Sequence, residues 1–221
     1  MHILESLWIR DRLSRIPDVD LFPVVDVGSS TLEYRTRTQP WIDENLFAPL
    51  RARGGGVIYI DAKQEPGVDV VVNLLDARSR ARIRTLGART ALICNILHHL
   101  TDRGPIARGL VETLPVGGHI VASGPFQYAP NYDPVETMYR PRPEAAAQEF
   151  PGTQLVDSAI IDSGNWRQWH PGERGGRSLL RFLTRMCAPC YRPAEWLRLL
   201  PHVPYLFRHM KAYVILLKKV A

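Results

Sequence analysis

The segment from Pro23 to Ser30, PVVDVGSS, limits what this chain can fold into more than any other stretch. Three valines interrupted by one acid, Asp26, have the length and β-branched character of a buried parallel strand, and they lead into Gly28, Ser29 and Ser30. A glycine at that point lets the backbone turn tightly and leaves space for a ligand against the main chain. The two serines add hydroxyl groups beside the loop amides. Alone, such a unit makes a turn as readily as a site.

Further strands follow at βαβ spacing. VIYID ends on Asp61, about thirty residues on, the distance at which such folds place an acid beside a ribose. Val70 to Val72, Ala91 to Asn95, Ile120 to Ser123, Leu155 to Ile161 and Tyr213 to Lys218 are the other predicted strands. Leu4, Leu7, Trp8, Leu13 and Ile16 form an apolar stripe at helical spacing, which predicts a helix over the site or the sheet edge. Trp41 to Arg53 is predicted as a helix with Ile42, Leu46, Phe47 and Leu50 inward, stopped by the glycines 54 to 56. TLEYRTRTQPW, between the first loop and that helix, is expected to be extended. Ala77 to Ala88, Asp102 to Leu114, a segment starting at Pro143, Ser178 to Met186 and Ala194 to Leu200 complete the helices. Arg78, Arg80, Arg82 and Arg84 alternate as in a strand, but arginine and alanine both favour helix, and a solvated helical face is expected.

A glycine loop after the first strand, an acid ending the second, and a PVGGH turn entering the fifth resemble the class I S-adenosylmethionine-dependent methyltransferases. The resemblance covers Pro23 to Pro125, and AYVILLKK is similar to that family's last strand. It implies an α/β fold: a Rossmann-like doubly wound sheet of seven strands, mostly parallel with an antiparallel last strand. Residues 1–221 would form one domain, with 1–22 an N-terminal helical extension. It also implies S-adenosylmethionine as cofactor, held by Asp26, Gly28, Ser29, Ser30 and Asn95. Asp61 would take the paired ribose hydroxyls, since a carboxylate accepts two hydrogen bonds at once. Ala62 would flank the adenine, and Asn73 with Leu74 would lie at its edge. Asp76 competes for the adenine role, and a cap or turn suits Asn73 and Asp76 equally well.

His98 and His99 are the candidates beneath the cofactor's methionine end. On a helix they diverge by about 100°, so only one would face the crevice, and a structural histidine is the competing reading. GPFQYAPNYDPVETMYRPRPEAA lies where open α/β sheets bind ligands, beyond the carboxyl end of a strand. It is similar to a loop of bacterial methyltransferases of the form PFxYPxHxDPxDxxRxTPE, with Asn131 in place of the histidine. Tyr128, Tyr132, Tyr139 and Arg140 are expected to face the acceptor, with Arg140 forking onto an acid or phosphate. The alternative is that Arg140 pairs with Asp133 or Glu136 and only fastens the loop. Metal-dependent catechol-type relatives carry carboxylates where this chain has Asn95, so no metal is expected.

At 221 residues and 45% hydrophobic content, one core is the expectation. The net charge of +6, carried mostly by arginine, suits acidic substrates or nucleic acid; without an aromatic-interleaved basic stripe, nucleic acid is disfavoured. No apolar run approaches a bilayer span, and Glu5, Arg10, Asp11, Arg12 and Arg15 break any secretory signal, so no membrane and a cytoplasmic location are expected. Three cysteines make no disulfide framework, and Cys187 and Cys190 are read as reduced thiols. The expected function is metal-independent methyl transfer to a small-molecule acceptor, an acidic one being the class Arg140 would suit, in a bacterial sugar or natural-product pathway. A homodimer stays open. So do RNA or protein methylation and cofactor binding without transfer.

Overall fold

A computed structural model describes residues 1–131, 135–165 and 193–221. Its strands are β1 Val24–Val27, β2 Val57–Asp61, β3 Val70–Val71, β4 Thr90–Cys94, β5 His119–Gln127, β6 Thr153–Asp162 and β7 Lys211–Lys219. They form one sheet in the order β3-β2-β1-β4-β5-β7-β6. Strands β1 to β5 pair in parallel, and β7 inserts antiparallel between β5 and β6. The order reverses between β1 and β4, so the connections leaving their carboxyl ends run to opposite faces and open a crevice there.

Period-two alternation divides the core between the two faces. Val25, Ala91, Ile93, Ile120, Ala122, Ile215 and Leu217 pack on α4 Ala77–Thr85, α5 Arg103–Thr113 and α6 Pro143–Ala147. Val24, Leu92, Val121 and Leu216 pack on α1 Ile3–Ser14 and α3 Ala48–Ala52. Two residues beyond Val24, Leu92 and Val121, the same alternation puts Asp26, Cys94 and Ser123 on the α1 face. A single turn of helix, α2 Asp18–Leu21, precedes β1, and α7 Pro193–Leu199 precedes β7.

The stripe proposed for α1 is displaced. Leu4 is 53% exposed, whereas Glu5, Ile9, Leu13 and Ile16 are buried. Each fully buried Ile or Leu is worth about 1.5–3 kcal/mol, enough for Ile9 and Leu13 to hold down a helix that also buries a carboxylate. The segment expected to be extended is instead helical, with a wide turn at Tyr34–Thr38. A second wide turn, Asp43–Phe47, precedes α3, where Pro49 lacks an amide for a regular helical bond. Ile42, Leu46, Phe47 and Leu50 are all buried, as the spacing predicts. In α4 Arg78, Arg82 and Arg84 are exposed, whereas Arg80 turns in to donate to the Leu74 and Leu75 carbonyls, and Asp76 caps the helix by accepting from the Ser79 amide at 2.9 Å. The helix predicted at Ser178 to Met186, the pair Cys187 and Cys190, and Tyr132 lie outside the described residues. Among the described residues no helix is long and apolar enough to cross a membrane.

Candidate active site

A cavity of about 490 Å³ opens at the carboxyl ends of β1, β4 and β5. Gly28, at φ +70°, and Ser30, at φ +56°, turn the chain out of β1. The amides of Gly28 and Ser29 donate to the Ile60 carbonyl at 2.8 and 3.1 Å, and the Ser30 amide donates to Asp61 Oδ2 at 3.0 Å. Asp61 Oδ1 takes the Lys63 amide at 3.1 Å. Buried Arg35 donates to the carbonyls of Ser29, Ser30 and Gly67 at 2.7–2.8 Å and lies 3.9 Å from the Tyr59 ring centroid. All three loop amides are therefore used internally. A Cβ at Gly28 would stand 2.3 Å from Ile96 Cδ1, and Gly28 itself lines the cavity. Gly28 suits its positive backbone angle and its close approach to Ile96.

Asp26 differs from its neighbours in being buried on the cavity wall and in accepting no hydrogen bond from the described residues. Burial pushes its carboxyl up to about 7; the charge of Arg35 opposes the rise and Asp61 adds to it. At the end of β4, Asn95 has φ +58°, a conformation asparagine tolerates better than most residues. Its Nδ2 donates to Glu5 Oε1 at 2.7 Å, Ser123 Oγ donates to the same oxygen at 2.5 Å, and Glu5 Oε2 accepts the His2 amide at 3.0 Å. The strand end that carries no carboxylate in sequence thus receives one in space from α1. Cys94, on the same face, has its thiol pushed up by burial.

Leu97–His99 form a single tight turn rather than the start of a long helix, and the expectation that only one histidine faces the crevice is not met. Both His98 and His99 line the cavity, with ring centroids 3.9 Å apart. Burial first, then the neighbouring His99 and Arg140, lower His98 to about 3 against the pull of Glu136, so it is neutral. His99 Nδ1 is hydrogen-bonded to the Val135 carbonyl. A carbonyl can only accept, so Nδ1 carries a proton; in the neutral ring the lone pair is then on Nε2, 3.5 Å from Asn131 Nδ2.

The loop after β5 is fastened from within. Glu136 accepts from the amides of Asn131 and Met138 at 2.7 and 2.8 Å and from both terminal nitrogens of Arg140 at 2.8 and 3.2 Å. Burial opposes the Glu136 charge, but these hydrogen bonds outweigh it and hold its carboxyl down at about 2. Arg140 reaches the cavity wall with its fork already occupied, which corrects the expectation of a guanidinium open to an anionic acceptor. The Thr137 amide and hydroxyl both donate to the His98 carbonyl, joining this loop to the histidine turn. Tyr128 lines the cavity with its ring 5.5 Å from His2. Tyr139 does not: it packs on the core beneath Arg103, whose guanidinium lies 4.2 Å from its ring centroid.

The cavity thus brings together Asp26, Gly28, Ser29, Ser30, Asn95, His98, His99, Tyr128 and Arg140. Asp61 stands behind Ser30, outside the wall, with Ala62 exposed beside it. Asn73 closes a local turn by accepting from the Leu75 amide, and the Leu74 side chain is in the core, so neither reaches the cavity. Sequence reasoning missed Glu5 and Arg35. Glu5 did carry a signal, a lone acid in register with Ile9 and Leu13 on the buried helical face; Arg35 carried none.

No protein-family model matches this chain, and no curated protein matches it in sequence. Solved structures do. A SAM-dependent methyltransferase from Anabaena variabilis is similar with TM-score 0.53 and 11% identity, covering 99% of this chain and 86% of that one. A putative sarcosine dimethylglycine methyltransferase from Galdieria sulphuraria gives 0.52 and 10%, covering 97% and 84%. The MccD protein gives 0.53 and 11%, covering 97% and 96%. At such identities the likeness is one of fold, and the fold is the seven-stranded one of class I S-adenosylmethionine-dependent methyltransferases.

Proposed function

We propose that this protein transfers a methyl group from S-adenosylmethionine to a small-molecule acceptor, without a metal, as one cytoplasmic domain spanning residues 1–221. The observation that carries this reading is the contrast between Asp26 and the loop beside it. A phosphate ligand needs free amide donors at such a loop, and those of Gly28, Ser29 and Ser30 are all engaged. What faces the cavity is a carboxylate without a hydrogen-bond donor, suited to a ligand ammonium. This favours an amino-acid-bearing nucleoside over a nucleotide. Asp61 keeps lone pairs for ribose hydroxyls beyond the two amides it already accepts.

When bound, the cofactor supplies a methyl carbon made electrophilic by its sulfonium. The chain's part is to align the acceptor and to receive a proton where the nucleophile carries one. His99 Nε2 is placed for that, with its tautomer set by Val135 and its ring on the cavity wall. In that role Nε2 would take the proton of the acceptor's nucleophilic atom, while Asp26 and Asp61 would hold the cofactor that supplies the methyl group. A cavity of about 490 Å³ is of the size that holds small molecules. Because Glu136 occupies the Arg140 fork, an acidic acceptor is no longer the favoured class. The deciding experiment is mass spectrometry of the denatured purified protein, with S-adenosylmethionine or S-adenosylhomocysteine expected. A co-purifying nucleotide in their place would overturn the reading.

A further inference from the structure

Glu5 has no place in the site as the sequence presents it, yet it is fully buried and binds three groups at once. Its Oε1 accepts from Asn95 Nδ2, just past the end of β4, and from Ser123 Oγ, within β5, and its Oε2 accepts from the His2 amide, which fixes the first turn of α1. A carboxylate oxygen has no hydrogen to give, so the Asn95 amide must turn Nδ2 toward it and leave Oδ1 as its other polar end. Asn95 lines the cavity, and its Oδ1 accepts nothing from the described residues. The left-handed backbone at Asn95 is held in the same place by its amide, which donates to the Ser123 carbonyl at 2.9 Å. Side chain and backbone of Asn95 are thus both referred to Ser123, and Glu5 ties the pair together.

We propose that Glu5 is a positioning residue of the cofactor site: it sets the Asn95 amide so that Oδ1 faces the cavity as a fixed acceptor, making α1 part of the site rather than a cover over it. The inference rests on the cofactor reading above. Docking of α1 and competence of the site are then one event. With α1 displaced, the Asn95 amide is free to rotate, and the acceptor is present only part of the time.

The test is a double-mutant cycle read by S-adenosylhomocysteine calorimetry on the full chain, with melting temperatures measured alongside. Glu5→Ala and Asn95→Ala should each weaken binding by about fivefold to tenfold, the scale of one lost hydrogen bond. The double variant should bind no worse than Asn95→Ala alone, because Glu5 acts through Asn95. Glu5→Gln keeps one acceptor oxygen for Asn95 and should recover most of the loss; if Glu5→Ala does not fold, the cycle is run with Glu5→Gln, where a loss of about twofold is expected. Additive losses, or a Glu5 variant that melts lower but binds as the wild type does, would show a purely structural residue and overturn the proposal. If the wild type itself does not bind S-adenosylhomocysteine, the cofactor reading falls and this inference with it. Wild-type binding with an indifferent Glu5 sinks the inference alone.

Discussion

Arg35 stands close enough to Asp26 to restrain the rise of its pKa, yet gives it no hydrogen bond, because its terminal nitrogens donate to the carbonyls of Ser29, Ser30 and Gly67. The carboxylate keeps its full acceptor capacity for whatever enters the cavity. Its folded pKa, raised to about 7, also sets a sign. Asp26 contributes to stability below its unfolded pKa, and that contribution is lost as pH rises through about 7.

Cofactor binding should run the other way. An ammonium is held by the ionised carboxylate, so affinity for S-adenosylhomocysteine is expected to increase between about pH 6 and 8 and then level off. Asp26→Asn should flatten that curve and weaken binding by about 1.5–3 kcal/mol. Calorimetry across the range checks both, and a flat wild-type profile would remove Asp26 from the ammonium site.

Asp61→Ala should weaken cofactor affinity by about 1.5–3 kcal/mol while the sheet stays intact. Two losses combine: the ribose contacts and the anchor of the Ser30 amide. Undiminished binding of S-adenosylhomocysteine by this variant would end the ribose assignment.

With a methyl acceptor in hand, His99→Gln should lower kcat by about a hundredfold or more and leave cofactor affinity unchanged, since glutamine cannot take up the proton. An unaltered kcat would assign His99 to the loop contact with Val135 alone.

Arg140→Ala should act on stability before anything else. It leaves Glu136, whose side chain is 2% exposed, with only the Asn131 and Met138 amides. Breaking a buried pair costs about 3 kcal/mol, a fall of about 6–12 °C in Tm for a chain of this size. The Glu136 contribution is present above its unfolded pKa of 4.5 and is lost as pH falls toward about 2, so the wild type and Arg140→Ala should converge in acid. Thermal melts at two pH values measure this. A variant that melts normally but turns over slowly would restore Arg140 to the acceptor site.

Excess EDTA should leave the transfer rate unchanged. The carboxylate nearest the end of β4, Glu5, has both oxygens occupied by Asn95, Ser123 and His2. A rate recovered only on adding magnesium would contradict that reading.

The sequence by itself determined the strands and their character. Val24 to Val27, Ile120 to Ser123 and Tyr213 to Lys218 are short, largely apolar runs, the local pattern of strands covered on both faces of a sheet. Ile42, Leu46, Phe47 and Leu50 were legible as a buried face from their helical spacing, even though a wide turn replaces regular helix there. The directions of the site residues depend on how elements meet. Glu5 and Ser123 lie 118 positions apart, and only the docking of α1 across β4 and β5 brings them into contact. Both histidines line one cavity although their backbone positions diverge, and the choice of Glu136 by Arg140 depended on the path of a loop. Periodicity identifies the face on which a residue lies; the neighbour it meets there is set by the register between elements distant in the chain, which no local pattern encodes.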